Sequence, residues 1–152
     1  MTTEEQKRNV LYAQSGGVTA VINASACGVI ETARKHKETF GRIFAGENGI
    51  LGVLDERLID TSVESADAIA SLRHTPGGAF GSCRFKMGSP KQKPALYQRL
   101  LEVFKAHNIG YFFYNGGGDS QDTTNQLAKY CEQNNFSLTC IGIPKTIDND
   151  LP

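Results

Sequence analysis

Gly110 to Ser120 reads GYFFYNGGGDS, and this stretch with its flanks decides the fold. Gly110 to Tyr114 is a near-continuous apolar run, the pattern of a strand buried on both faces. Asn115-Gly-Gly-Gly-Asp119 breaks the pattern, and Ser120 to Gln133 resumes with helical spacing. Ser120 is the expected N-cap, and Asp122 falls in the first turn, where a carboxylate complements the helix dipole. Upstream, Pro94 to Asn108 reads as a helix. Pro94 opens it, and Leu96, Leu100, Val103, Phe104 and His107 follow the 3.6-residue period. Downstream, Leu138 to Ile143 (LTCIGI) is a second apolar run, stopped by Pro144. Helix, buried strand, turn, helix, buried strand is the signature of a parallel sheet with crossover helices.

The alternation extends to the N-terminal side. Asn9 to Gln14 (NVLYAQ) reads as the first strand. Ala20 to Lys35 reads as a helix with Val21, Ala24, Cys27 and Gly28 toward one face. Gly41 to Ala45 is a second strand, Arg57 to Asp60 a short third, and Ser65 to Leu72 a short helix. Pro76 to Pro94 is a long glycine- and proline-rich loop. The expected fold is α/β: a doubly wound, mainly parallel, Rossmann-like sheet with helices on both faces. The chain stops one step past its third glycine/acid turn. We therefore expect residues 1–152 to be an N-terminal phosphate-donor-binding domain, incomplete, lacking the substrate half and inactive alone.

Composition narrows the partners. The 152 residues suit one domain, with 39% hydrophobic residues and 16 basic against 16 acidic side chains. A nucleic-acid surface needs a clustered basic excess, so none is expected. Arg34-Lys35-His36-Lys37 sits where a helix should end and complements its dipole. No run is long enough for a membrane helix. Cys27, Cys83, Cys131 and Cys140 lack metal or redox spacing and read as free thiols in a reducing cytoplasm. His36, His74 and His107 do not cluster, so zinc has no support.

Three turns carry the chemistry: Ser15-Gly16-Gly17, Asn115-Gly-Gly-Gly-Asp119-Ser120 and Lys145-Thr146-Ile147-Asp148-Asn149-Asp150. Each follows an apolar strand, and ligands of open α/β sheets bind at the carboxyl ends of strands. Gly16-Gly17, between a strand and a helix, suits phosphate capture at a helix N-terminus. A tight turn needing positive φ explains it equally well. Three successive glycines suit a backbone nest for oxyanions. Asp148 and Asp150, two residues apart, can orient a hydroxyl, take its proton or hold Mg²⁺, and Lys145 can neutralise a transferring phosphate. A solvated Asx turn is the plain alternative. Arg84, in Gly81-Ser-Cys-Arg84-Phe-Lys86, is a candidate phosphate clamp. Together these point to phosphoryl transfer.

Ser15-Gly-Gly-x5-Asn23, Gly81-Ser-x-Arg84, Gly116-Gly-x-Asp119-Ser120 and Pro144-Lys-Thr-Ile-Asp-Asn-Asp150 resemble, in order, the motifs of 6-phosphofructokinases. The resemblance runs from about Val10 to the last residue. Pro-Lys before Thr-Ile-Asp-Asn-Asp looks like the pyrophosphate-dependent branch. The resemblance implies Asp148 as general base toward the C1 hydroxyl of fructose 6-phosphate, and Lys145 as stabiliser of the transferring phosphoryl group. It also implies that Thr146 and Asp150 hold the sugar and reacting groups, and that Gly17, Arg84 and Ser120 contact the donor. A homo-oligomer is expected at full length.

Asp119 stands where ATP-using relatives keep glycine. Its bulk and charge should exclude ATP and admit pyrophosphate. The family's usual Mg²⁺-binding aspartate falls on Gly118 in this register. Sliding by one makes Asp119 the metal ligand but puts Gln121 where the serine belongs. The Gly-Gly turn also departs from the family, because Val18-Thr-Ala-Val21 lacks its acid and Pro-Gly. Three rivals remain: an ATP-dependent phosphofructokinase, a lipid or NAD kinase relative, and a non-catalytic phosphate-binding module.

Overall fold

The computed structural model describes residues 7–146. Five strands form one sheet in the order β3-β2-β1-β4-β5: β1 (Asn9–Gln14), β2 (Ile43–Gly46), β3 (Leu58–Asp60), β4 (Ile109–Gly116) and β5 (Thr139–Pro144). All neighbours are parallel except β2 and β3. The helices are α1 (Ile22–Lys35), α2 (Gly49–Leu54), α3 (Ala66–Ala70), α4 (Pro94–Ala106) and α5 (Gly118–Gln133). The doubly wound α/β expectation holds.

Alternation along β1 shows how the sheet is covered on both sides. Val10 packs with Cys27, Ile30 and Ala33 of α1 and Ile69 of α3. Leu11 and Ala13 face the other way, onto Ile50 and Val53 of α2, Leu100 and Phe104 of α4, and Leu127 of α5. Phe104, Phe112 and Tyr114 are fully buried there, each stabilising the fold by about 1.5–3 kcal/mol through removal from water. The four cysteines are free. Burial pushes the Cys131 thiol up to about 11 and the Cys140 thiol up to about 12.

Several local expectations need correction. Helix α1 starts at Ile22, not Ala20, and its buried face is Ile22, Ala26, Cys27, Ile30 and Ala33. Val21 and Gly28 are exposed, the helix starting only after the four residues that follow Gly17. Ser65 caps α3 by accepting from Ala68 N, and the helix tightens into a 3-10 turn at Ser71–His74. Helix α2 has no clear sequence signal. Two glycines weaken its propensity, but both sit where a side chain cannot fit. A Cβ on Gly49 (φ +68°) would meet Gln14 O, and one on Gly52 would meet Glu47 O.

Register positions the site. β1 and β4 pair through Gln14 and Asn115, and β4 and β5 through Gly116 and Pro144. Three parallel strands therefore end at one level, and the segments that follow them share one edge.

Candidate functional site

At that edge lies a cleft of about 450 Å³, lined by Ser15, Gly16 and Gly17 after β1, Gly117 to Ser120 after β4, and Lys145 and Thr146 after β5. The loop before α4 adds Arg84, Phe85 and Lys86. The expected meeting of three turns is thus observed for their described residues. Asp148 and Asp150 lie outside the described residues.

The first turn is held by its neighbours. Ser15 N donates to Asn115 O at 2.8 Å, and Gly16 N to Cys83 O at 2.9 Å. Ser82 Oγ donates to Gly16 O at 2.8 Å. Gly16 has φ +79°, so the positive-φ alternative is correct for this turn. Gly17 lines the cleft but does not sit at a helix N-terminus, since α1 begins at Ile22.

The second turn differs from expectation. None of its three glycines has positive φ, so it is not an alternating-handed nest. Gly116 ends β4, Gly117 (φ −75°, ψ −162°) is the residue before α5, and Gly118 opens the helix. Ser120 is therefore not the N-cap. It lies in the first turn and is buried, and its N–H donates to Gly117 O at 3.1 Å. A Cβ on Gly116 would collide with Ser120, whereas Gly117 and Gly118 face open space. The first N–H groups of α5 have no carbonyl a turn behind them, so an anion in the cleft meets a helix N-terminus here. Under the cleft floor, burial raises the Tyr114 phenol above its ordinary value, opposed by the Ser15 and Ser120 hydroxyls.

Charge converges from three sides. Lys145 follows β5, and its N–H donates to Gly116 O at 3.1 Å. Its Nζ lies 3.3 Å from the point a Gly16 Cβ would occupy. Burial first, and the Arg84 charge second, lower the Lys145 pKa below its usual value. Arg84 and Lys86 are exposed on the opposite wall. The carboxylate among the lining residues is Asp119, 3.8 Å from Lys86 Nζ. Both partners are more than four-fifths exposed, so the pair is weak. Among the described residues, three cations stand against one carboxylate, a balance that attracts a polyanion.

Lys86 was not singled out in the sequence, although it lies two residues from Arg84, a spacing that puts extended side chains on one side. Among the described residues, no group of three His, Cys, Asp or Glu side chains could hold a metal. Asp119 can supply one ligand. Mg²⁺ commonly takes one or two carboxylates and fills its shell with phosphate oxygens and water, so the set fits a metal that arrives with its donor.

The profile of the family described as phosphofructokinase matches residues 9–152. A pyrophosphate--fructose 6-phosphate 1-phosphotransferase of Methylococcus capsulatus is 62% identical over 145 residues, covering 95% of this chain and 34% of the relative. The crystal structure of a pyrophosphate-dependent phosphofructokinase from Marinobacter aquaeolei superposes with TM-score 0.87 at 63% identity, over 95% of this chain and 35% of that one. An ATP-dependent 6-phosphofructokinase of Aliivibrio fischeri is 30% identical over 139 residues, covering 90% of this chain and 38% of the relative. The chain thus spans about a third of the length of the curated relatives it matches. With the fold, the order of the turns and the family profile in agreement, the chain belongs to the phosphofructokinase family.

Proposed function

We propose that residues 1–152 form the donor-binding domain of a pyrophosphate-dependent 6-phosphofructokinase, which moves a phosphoryl group from pyrophosphate to the C1 hydroxyl of fructose 6-phosphate. The observation that carries this reading is the cleft in which Arg84, Lys86 and Lys145 converge on the α5 N-terminus. It is sized and charged for a small polyanion. The names of the most similar relatives support pyrophosphate as donor over ATP.

In this reading Asp148 takes the proton from the C1 hydroxyl as its oxygen attacks the near phosphorus, and the far phosphate leaves with the electrons of the broken P–O bond. Lys145 and Arg84 neutralise charge on the transferring group and the leaving phosphate. Thr146 and Asp150 orient the sugar. Gly17 leaves room for the donor, and Ser120 and the first N–H groups of α5 bind it. Asp119, with donor oxygens and water, would hold Mg²⁺, and the charge neutralisation of the donor phosphates is what that ion would supply. Among the described residues no helix is long and apolar enough to cross a membrane. We place the enzyme in the cytoplasm as a homo-oligomer, without nucleic-acid partners.

The test is turnover of fructose 6-phosphate with pyrophosphate or ATP, in a protein of the relatives' length carrying this sequence. Pyrophosphate should support turnover and ATP should not. Asp119 is exposed, so screening limits its repulsion of a nucleotide. Asp119→Gly should therefore raise ATP use by no more than about tenfold. ATP turnover exceeding that with pyrophosphate in the unaltered enzyme would overturn the reading.

A further inference from the structure

Arg84 reaches the cleft from Thr75 to Cys83, a segment outside the sheet and helices apart from one isolated bridge between Ser15 and Cys83. Such a segment has few backbone partners of its own, so side chains must supply them. Two buried amides do so. Asn23, on the first turn of α1 and 2% exposed, donates from Nδ2 to Thr75 O and Gly77 O, both at 2.7 Å. Its Oδ1 accepts from Ala79 N at 2.9 Å. One side chain thereby fixes three backbone groups. Gln14, fully buried at the end of β1, donates from Nε2 to Gly81 O at 2.9 Å. Its Oε1 accepts from Tyr12 Oη at 2.9 Å, and that oxygen accepts from Asn115 Nδ2 at 3.1 Å. Ser82 and Cys83 then dock on Gly16, and Arg84 follows.

We propose that Asn23, seconded by Gln14, is a positioning residue for Arg84: it sets the segment that presents the guanidinium to the phosphate donor without touching the donor itself. The proposal rests on the reading of Arg84 as a donor contact. Asn23 is suited to this role because it combines two donors and an acceptor on a short side chain. Aspartate has the same shape but would set a carboxylate oxygen against two carbonyls, and alanine would leave all three groups unpaired. The Tyr12–Gln14–Asn115 chain ties the same segment to the strand that carries the triple glycine. The two walls of the cleft are thereby registered to each other through the interior.

The experiment uses a protein of the relatives' length and compares Asn23→Asp, Arg84→Ala and the double variant, with pyrophosphate and fructose 6-phosphate varied separately. Asn23→Asp should raise KM for pyrophosphate or lower kcat by about 10- to 100-fold, the usual effect of loosening a group behind a ligand contact. KM for fructose 6-phosphate should stay within about twofold, and in the Arg84→Ala background Asn23→Asp should add less than about twofold. A general loss of structure would instead shift both substrates alike and multiply with Arg84→Ala. Either of those results, or no effect of Asn23→Asp, overturns the proposal. If Asn23→Asp does not fold, Gln14→Met, which keeps volume and removes the bond to Gly81 O, is read by the same criteria. If Arg84→Ala leaves pyrophosphate use intact, the donor reading of Arg84 fails and the proposal falls with it.

Discussion

The first and second glycine turns look alike in sequence and differ in what they require of glycine. Gly16 is needed for its conformation, since its φ of +79° suits few other residues. Gly116 needs no special conformation but has Ser120 where its Cβ would be. Gly117 and Gly118 have neither demand, as nothing lies within 4 Å of a Cβ on either. A glycine run can thus combine one position fixed by packing with two left empty for whatever enters the cleft.

Substitutions by alanine separate these roles. Gly116→Ala should cost most, about 3 kcal/mol, because the methyl meets a buried side chain in a first helical turn that cannot retreat. Gly16→Ala should cost about 1–2 kcal/mol, the penalty of a left-handed conformation with a Cβ. Gly117→Ala should cost least, about 0.5–1 kcal/mol, the difference between glycine and the poorer cap alanine before a helix. Chemical denaturation of the three variants gives the order. Equal losses at positions 116 and 117 would show that the turn acts as one packed unit. Gly117→Ala should nevertheless weaken pyrophosphate use by more than its stability change implies, because its methyl occupies donor space. An unaltered pyrophosphate KM would remove that role.

Lys145 sharpens the comparison, since it touches the first turn and belongs to the third. Its folded pKa is lowered, first by burial and then by Arg84. The folded chain therefore releases this proton before the unfolded chain does. Between the folded pKa and the ordinary 10.5 the unfolded state binds more protons, so stability from this group rises with pH across that window. Its attraction for a phosphate does the reverse and fades as pH climbs through the folded pKa. An NMR titration of the Lys145 side chain should find a midpoint below 10.5. Gly16→Ala, which crowds Nζ, should move it lower. A midpoint at or above 10.5 would show that neither burial nor Arg84 depresses the pKa of this ammonium.

Legibility followed the size of the local signal. Strand β4 stood out because a strand covered on both faces is apolar throughout, with Phe112 and Tyr114 on one face and Tyr111 and Phe113 on the other. Strand β5 was equally apolar in sequence, yet it is an edge strand with no fully buried residue. The meeting of the turns followed from parallel register alone. Helix α2 was hidden because its glycines answer to Gln14 O and Glu47 O, contacts set by the tertiary fold. Ser120 matched every rule for a cap, yet the helix began two residues earlier, since flexible glycines let the first turn form upstream of it. Asn23 was visible as part of a motif, but its partners at Thr75, Gly77 and Ala79 lie more than fifty residues away. Lys86 had only its spacing from Arg84 to recommend it.

Gly116 O accepts both Lys145 N and Gln121 Nε2, and Gln121 Oε1 occupies the place of a Cβ on Gly142. Positions 121 and 142 are therefore coupled under evolutionary drift, as are positions 116 and 120. A side chain at 142 is tolerable only with a smaller residue at 121, and a side chain at 116 only with a smaller residue at 120, so each pair should vary together whatever the enzyme's donor. Gly117 and Gly118 are free of that lock. Structure alone would let them diverge, and any lineage in which they do not vary records selection by the ligand.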